Sequence, residues 1–295
     1  MIVSARALRM LNLILSQKYF PGKWRIEKFI ISIVKVRTGH YFHPRGFWWS
    51  IENDATKKTF LVDCENTTSE LISKLLKNER VVFVDIGANL GWYSLLVKSL
   101  NPSSIVYAFE PMAWVREKLH QNLQRNGFSD VKIESCALGA SSATRRIYSY
   151  LGNDGMHTLW PVKEWGAEPG QEVKIEVLDS YTEQLNEENL PILLKLDVEG
   201  SELNVLQGCN NLLSGSNVQM IIEINETMLS AAGNSVEELF EFLRLFGFSG
   251  YWISPDMALV ASSFENPLPH RGKLPEFEGT NYFFTKNKVE FPHKT

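Results

Sequence analysis

Arg80-Val81-Val82-Phe83-Val84-Asp85-Ile86-Gly87-Ala88-Asn89-Leu90-Gly91-Trp92 is the stretch that decides the fold. Residues 80–84 read as a buried strand, Gly87 and Gly91 mark a tight turn, and Trp92, Leu95, Leu96 and Leu100 then recur at the helical interval. A buried strand, a glycine turn and an amphipathic helix make the first βα unit of a parallel sheet.

The same rhythm continues outward. Residues 105–109 form a second strand ending at Glu110, and Val115, Leu119 and Leu123 stripe a helix that Gly127 stops. Strands follow at 131–133, 192–196 and 218–224, with Leu203, Val205 and Leu206 lining a helix closed by Gly208. Ser235 and Glu238 make a capping box for a helix whose inner face is Val236, Leu239, Phe240 and Leu243, and Gly247 ends it. Strands near 248–253 and 281–285 complete the sheet. Two excursions interrupt the pattern: 140–180, read as a hairpin of 146–150 with 173–178 around a loop, and the Pro-rich loop 255–280.

The class is therefore α/β. Residues 76–295 form the main domain with an insertion at 140–180, and residues 1–75 precede it as a basic helical segment and cap. The segment 2–36 is amphipathic and broken at Pro21-Gly22; an aromatic cluster over 41–49 and a strand pair, 47–53 with 58–63, complete the cap.

The totals narrow the function. At 295 residues and 44% hydrophobic, the chain can bury one large core with an accessory segment. Residues 1–50 carry nine Lys/Arg against Glu27 alone, so the rest holds 21 basic against 33 acidic side chains. That excess of acid disfavours nucleic acid as a partner of the main domain. Cys64, Cys136 and Cys209 fit neither a disulfide framework nor a CxxC metal site, which points to a reducing, cytoplasmic setting. Arg6 and Arg9 interrupt the apolar N-terminus, leaving a run far below the roughly 20 residues of a transmembrane segment. The basic segment 2–36 reads first as a helix docked on its own domain and second as a peripheral contact with an anionic membrane.

In an open parallel sheet, ligands gather beyond the carboxyl ends of the strands, where the glycine turn lies. A dinucleotide requires G-x-G-x-x-G, with room for phosphates; here Asn89 holds the middle-glycine position and Asp85 places an acid at the turn. That acid suits S-adenosylmethionine, which brings an ammonium and a sulfonium and no phosphate. Glu110, 23 residues after Gly87, is spaced to hydrogen-bond ribose hydroxyls. The rival readings are a nicotinamide-dependent oxidoreductase and a non-catalytic nucleoside-binding module.

The segments 83–94 and 108–111, the run Lys195-Leu-Asp-Val-Glu-Gly-Ser-Glu202 with Val205 to Gly208, and 221–223 together resemble the FkbM family of methyltransferases over about 80–285. The resemblance implies a Rossmann-like class I methyltransferase fold: seven strands, mostly parallel, in the order 3-2-1-4-5-7-6. It also implies S-adenosylmethionine as cofactor and methyl transfer to a hydroxyl of a sugar, glycan or natural product. On this likeness Asp85, Gly87, Ala88, Asn89 and Gly91 fall on the cofactor loop, Glu110 and Pro111 at the ribose, and Asn126 and Ala137 near the adenine.

For the chemistry, Asp197 is the first choice at the reacting edge, since it ends the strand beside the first and can also touch cofactor. A helix N-cap is its structural alternative. Lys195 shares its strand face and reads as partner to Asp197 or Glu223. Glu199 either bonds loop amides or touches the acceptor, and His157, in the insertion, is a candidate base. Trp160 and Trp165 are candidates for ring stacking. The first reading has no metal; a divalent cation on Asp197, Glu199 and Glu223 is the second.

Overall fold

The computed structural model describes residues 38–53, 56–57, 59–60, 66–77, 79–150, 153–215, 217–254, 258–262, 267–268, 279–287 and 289. The basic segment 2–36, Cys64 and most of the Pro-rich loop lie outside these residues.

Strands β1 (Gly39–Phe42) and β2 (Trp48–Ile51) pair antiparallel ahead of helix α1 (Asn66–Leu75). The regular units then run β3 (Val82–Ile86), α2 (Trp92–Leu100), β4 (Ile105–Phe109), α3 (Ala113–Arg125) and β5 (Lys132–Glu134). β6 (Ala137–Leu138) follows, and the insertion then supplies β7 (Ala143–Tyr150), β8 (Asn153–Thr158) and β9 (Ala167–Glu176). After α4 (Thr182–Asn186) come β10 (Ile192–Leu196), α5 (Glu202–Gln207), α6 (Asn210–Ser214) and β11 (Val218–Ile224). The chain continues through α7 (Glu226–Ala231), α8 (Val236–Leu245), β12 (Ser249–Ile253), β13 (Leu259–Ser262) and β14 (Thr280–Thr285).

The main sheet has the order β13-β12-β14-β11-β10-β3-β4-β5. β5, β4, β3, β10 and β11 run parallel, and β14 lies antiparallel to both β11 and β12. Seven of these strands follow the order 3-2-1-4-5-7-6, and the eighth, β13, corrects the expected count. It arises inside the Pro-rich loop as a four-residue edge strand on β12, too short for alternation to announce it.

Both faces of the sheet are covered, so its central strands are continuous apolar runs. Val82, Val84 and Ile86 of β3 enter one core layer with Leu194 and Leu196; Phe83 enters the other with Leu193 and α2. In α2 the buried residues include Trp92, Leu95, Leu96 and Val97, while Leu100, expected inside, is 42% exposed.

The cap differs from its expectation. The strands pair 39–42 with 48–51 because His43-Pro-Arg-Gly46 closes a tight turn, with Gly46 at φ +95°. Thr56 N–H then donates to Asn53 Oδ1 at 2.9 Å, and residues 56–57 and 59–60 are helical instead of extended. In the insertion β7 and β9 do pair antiparallel, but β8 forms in the expected loop and pairs with the other edge of β7, giving a separate sheet β6-β9-β7-β8.

Candidate functional site

The carboxyl ends of β3, β4, β10 and β11 meet the accessory sheet around a cavity of about 300 Å³. Of the residues singled out from sequence, Gly87, Asn89, Glu110, Pro111, Ala137, His157, Asp197, Glu199 and Glu223 all line it. Sequence reasoning missed the apolar lining, including Ile147, Met156 and Leu159 from the insertion.

Main-chain geometry builds the first wall. Gly87 stands at φ +81°, and a β-carbon on it would collide with the Asp197 carbonyl oxygen. Only glycine lets β3 and β10 approach this closely beneath the cavity. The Gly87 and Ala88 amides both donate to Phe109 O, at 3.1 and 3.0 Å, which ties the turn to the end of β4. Asn89 then takes φ +48° and sends its amide to Glu110 Oε2 at 3.0 Å, while Met112 N–H donates to Glu110 Oε1 at 2.8 Å. The Glu110 carboxylate thus bridges two helix-entry turns. Burial pushes its pKa up to about 7 against those two amides. Ala88 and Gly91 lie behind this wall: Gly91, at φ +89°, caps α2, where a β-carbon would strike Leu119.

Asp85 does not line the cavity. Side chains alternate along a strand, so Asp85 shares the face of Phe83, under α2. Its Oδ2 accepts from Ser94 N at 3.0 Å and Ser94 Oγ at 2.6 Å, and burial raises its pKa to about 6. It anchors the start of α2 from behind. Lys195, fully buried, is its register partner on β10 and lies 3.5 Å from Asp197 Oδ2 and 5.2 Å from the Tyr93 ring. The buried ammonium therefore has two carboxylates beside it, as its cost of desolvation demands.

The loop after β10 builds the opposite wall. Asp197 N–H donates to Ile86 O at 3.0 Å, and the Asp197 side chain is 30% exposed. It caps no helix, because α5 begins at Glu202 with Ser201 at the N-cap position. Glu199 adopts φ +49°, and burial, then Asp197, then Glu202 drive its pKa up to about 8. Glu202, fully buried, accepts from Gly200 N at 3.1 Å and Val198 N at 3.4 Å, and so takes the amide-binding role considered for Glu199.

The accessory sheet closes the cavity. His157 lines it with Nδ1 2.9 Å from Ser149 Oγ and its ring edge-on to Trp114 at 5.6 Å. Trp160 donates from Nε1 to Ser201 Oγ at 3.1 Å beneath the Arg145 guanidinium, and Trp165 packs on Tyr150 at 5.7 Å. Both tryptophans serve as anchors, and neither lines the cavity.

Asn126 also stands outside the cavity lining. It accepts from Trp48 N at 2.6 Å and donates to Trp48 O at 2.9 Å, clamping β2 to the end of α3 outside the cavity. Asn122, unnoticed in the sequence, links the cap to the glycine loop: it accepts from Ser50 Oγ at 2.8 Å and donates to Leu90 O at 3.0 Å. Among the described residues no group of three or more His, Cys, Asp or Glu is disposed to hold a metal, Asp197, Glu199 and Glu223 included. No helix among them is long and apolar enough to cross a membrane.

A mostly parallel sheet with this strand order, a glycine turn after its central strand and an acid ending the next define the class I methyltransferase architecture. Residues 85–249 match the methyltransferase FkbM domain, and the chain belongs to that family. It is 27% identical over 200 residues to AMB antimetabolite synthetase AmbE of Pseudomonas aeruginosa, covering 57% of this chain and 9% of that protein. It is 33% identical over 152 residues to methyltransferase sdnD of Sordaria araneosa, covering 42% and 59%. It is also 26% identical over 196 residues to 31-O-demethyl-FK506 methyltransferase FkbM of Streptomyces tacrolimicus, covering 57% and 72%. The chain thus spans less than two thirds of AmbE and of sdnD. Among solved structures it is similar to methyltransferase FkbM from Methylobacillus flagellatus, with a TM-score of 0.44 at 12% identity over 90% of this chain and 71% of that one.

Proposed function

We propose that the protein transfers a methyl group from S-adenosylmethionine to a hydroxyl of a sugar, glycan or natural-product small molecule. The observation that carries this reading is the pair of acids on opposite walls of one cavity, Glu110 on the turns after β3 and β4 and Glu199 on the loop after β10.

The donor set suits the cofactor. Each Glu110 oxygen accepts one backbone amide and keeps a lone pair for a ribose hydroxyl. Gly87 and Asn89 line the cavity beside it, and Ala137 with Cys136 gives an apolar edge for an adenine. Asp197 offers a carboxylate for the ammonium. Bound there, S-adenosylmethionine supplies a methyl on a positive sulfonium.

The protein's share of the work is alignment, exclusion of water and removal of one proton. Glu199 Oε accepts the acceptor's hydroxyl proton. With a pKa raised to about 8 it is a stronger base than an ordinary carboxylate, in the range where general bases act near neutral pH. Lys195 holds Asp197 in place from beneath. Met156, Leu159 and Ile147 give the acceptor an apolar wall, and His157 offers it a polar contact. The buried free thiols Cys136 and Cys209 support a reducing, cytoplasmic setting.

The test is incubation with methyl-labelled S-adenosylmethionine and a panel of hydroxylated sugars and polyketide-like alcohols, with mass identification of the product. Label in a methyl ether is expected. Label on nitrogen or carbon alone overturns the O-methyl reading, and a melting shift with NAD but not with S-adenosylmethionine overturns the cofactor.

A further inference from the structure

Glu199 is a non-glycine residue at φ +49°, a backbone region that a β-carbon disfavours and that persists where neighbours over-determine it. On the main-sheet side, Glu202 gathers the Val198 and Gly200 amides, and Gly200 packs where a β-carbon would strike Met228 O. On the other side the hold comes from the insertion. Thr158 Oγ donates to Glu199 O at 2.7 Å, accepts from Trp160 N at 3.0 Å, and is 1% exposed, so water does not compete for it. The Trp160 indole N–H then donates to Ser201 Oγ at 3.1 Å, gripping the loop two residues further on. Thr158 ends β8, the strand that presents Met156 and His157 to the cavity, and Leu159 follows it.

We propose that Thr158 is a positioning residue: through its hydroxyl the accessory sheet holds the Glu199 backbone in its left-handed turn and aims the carboxylate at the transferred methyl. The strand that forms the acceptor wall therefore also sets the acid, so a substitution in the insertion acts on chemistry as well as on fit. The proposal rests on the reading that Glu199 faces the transferred methyl.

The test needs no acceptor. Sinefungin carries an amine where S-adenosylmethionine carries its methyl, and S-adenosylhomocysteine carries neither, so the ratio of their affinities reads a carboxylate at that position. Both are titrated calorimetrically into wild type, Thr158→Val, Thr158→Ser, Trp160→Phe and Glu199→Gln, with melting as a control of folding. Wild type prefers sinefungin; Thr158→Val lowers that preference about three- to tenfold, the worth of one buried hydrogen bond, with S-adenosylhomocysteine affinity unchanged. Thr158→Ser restores the preference, and Trp160→Phe lowers it by a smaller factor, which decides the matter if Thr158→Val does not fold. Loss of the preference in Glu199→Gln with full preference in Thr158→Val and Trp160→Phe overturns the positioning role. Full preference in Glu199→Gln overturns the placement of Glu199 itself, and the proposal with it.

Discussion

Glu110 and Glu199 face one cavity from opposite walls, and the chain holds them there by different means. Glu110 is fixed by two backbone amides, from Asn89 and Met112, at the entries of regular βα units. Glu199 sits in a left-handed turn gripped by side chains, Thr158 from an inserted sheet and Glu202 from the helix that follows. The first wall is a property of the fold, because strands, glycines and helix starts suffice to make it. The second belongs to this particular chain, because it depends on what the insertion places against the loop. Substitutions on the first wall should therefore disturb cofactor binding and stability together, while those on the second should separate chemistry from cofactor binding.

The largest effect is expected where the walls touch. Gly87→Ala drives a β-carbon into the Asp197 carbonyl oxygen at φ +81°, which should cost about 1–3 kcal/mol of stability and remove cofactor binding. Melting and calorimetry check it, and a Gly87→Ala protein with normal binding would break the first half of the comparison.

Glu199→Gln should lower kcat by about 10²–10⁴-fold while leaving the cofactor Kd near wild type. In the wild type, kcat/KM should rise as pH climbs through about 8, where the carboxyl loses its proton, and the variant should lack that limb. An unchanged pH profile would take the proton transfer away from Glu199.

A smaller effect belongs to the apolar wall. Met156→Ala should raise the acceptor KM about tenfold by removing buried contact area, with cofactor affinity intact. Equal losses for acceptor and cofactor would show that the walls are not separate.

The smallest concerns Glu202, whose pKa burial raises to about 7. An unfolded glutamate releases its proton near 4.3, about three units lower, so this group's stabilising share is complete in acid and lost as pH rises through about 7. Glu202→Gln keeps an oxygen for the Val198 and Gly200 amides and removes that loss. Its Tm should gain on wild type by about 2–4 °C between pH 5 and pH 8.

The first wall was legible in the sequence because period and glycine spacing are local signals. Strands at 105–109, 192–196 and 218–224, the Gly87 turn and Glu110 all fall where they were expected. The family resemblance supplied the strand order, which no local pattern carries. Alternation from Phe83 also places Asp85 under α2, where it meets Ser94. The contact of Asn126 with Trp48 was not legible, because Trp48 lies 78 residues away on a hairpin whose register depends on the Pro44–Gly46 turn. The second wall was the least legible: β8 lies inside an expected loop, and the bond from Thr158 at its end to Glu199 in an irregular loop spans 41 residues.

The central claim is that the cavity binds S-adenosylmethionine through the Glu110 wall, and calorimetric titration of wild type and Glu110→Ala with S-adenosylmethionine and NAD tests it most directly. The account predicts saturable S-adenosylmethionine binding by wild type, a loss of about tenfold or more in Glu110→Ala, and no heat from NAD. Binding of NAD instead, or S-adenosylmethionine binding indifferent to Glu110 in a folded variant, would contradict it.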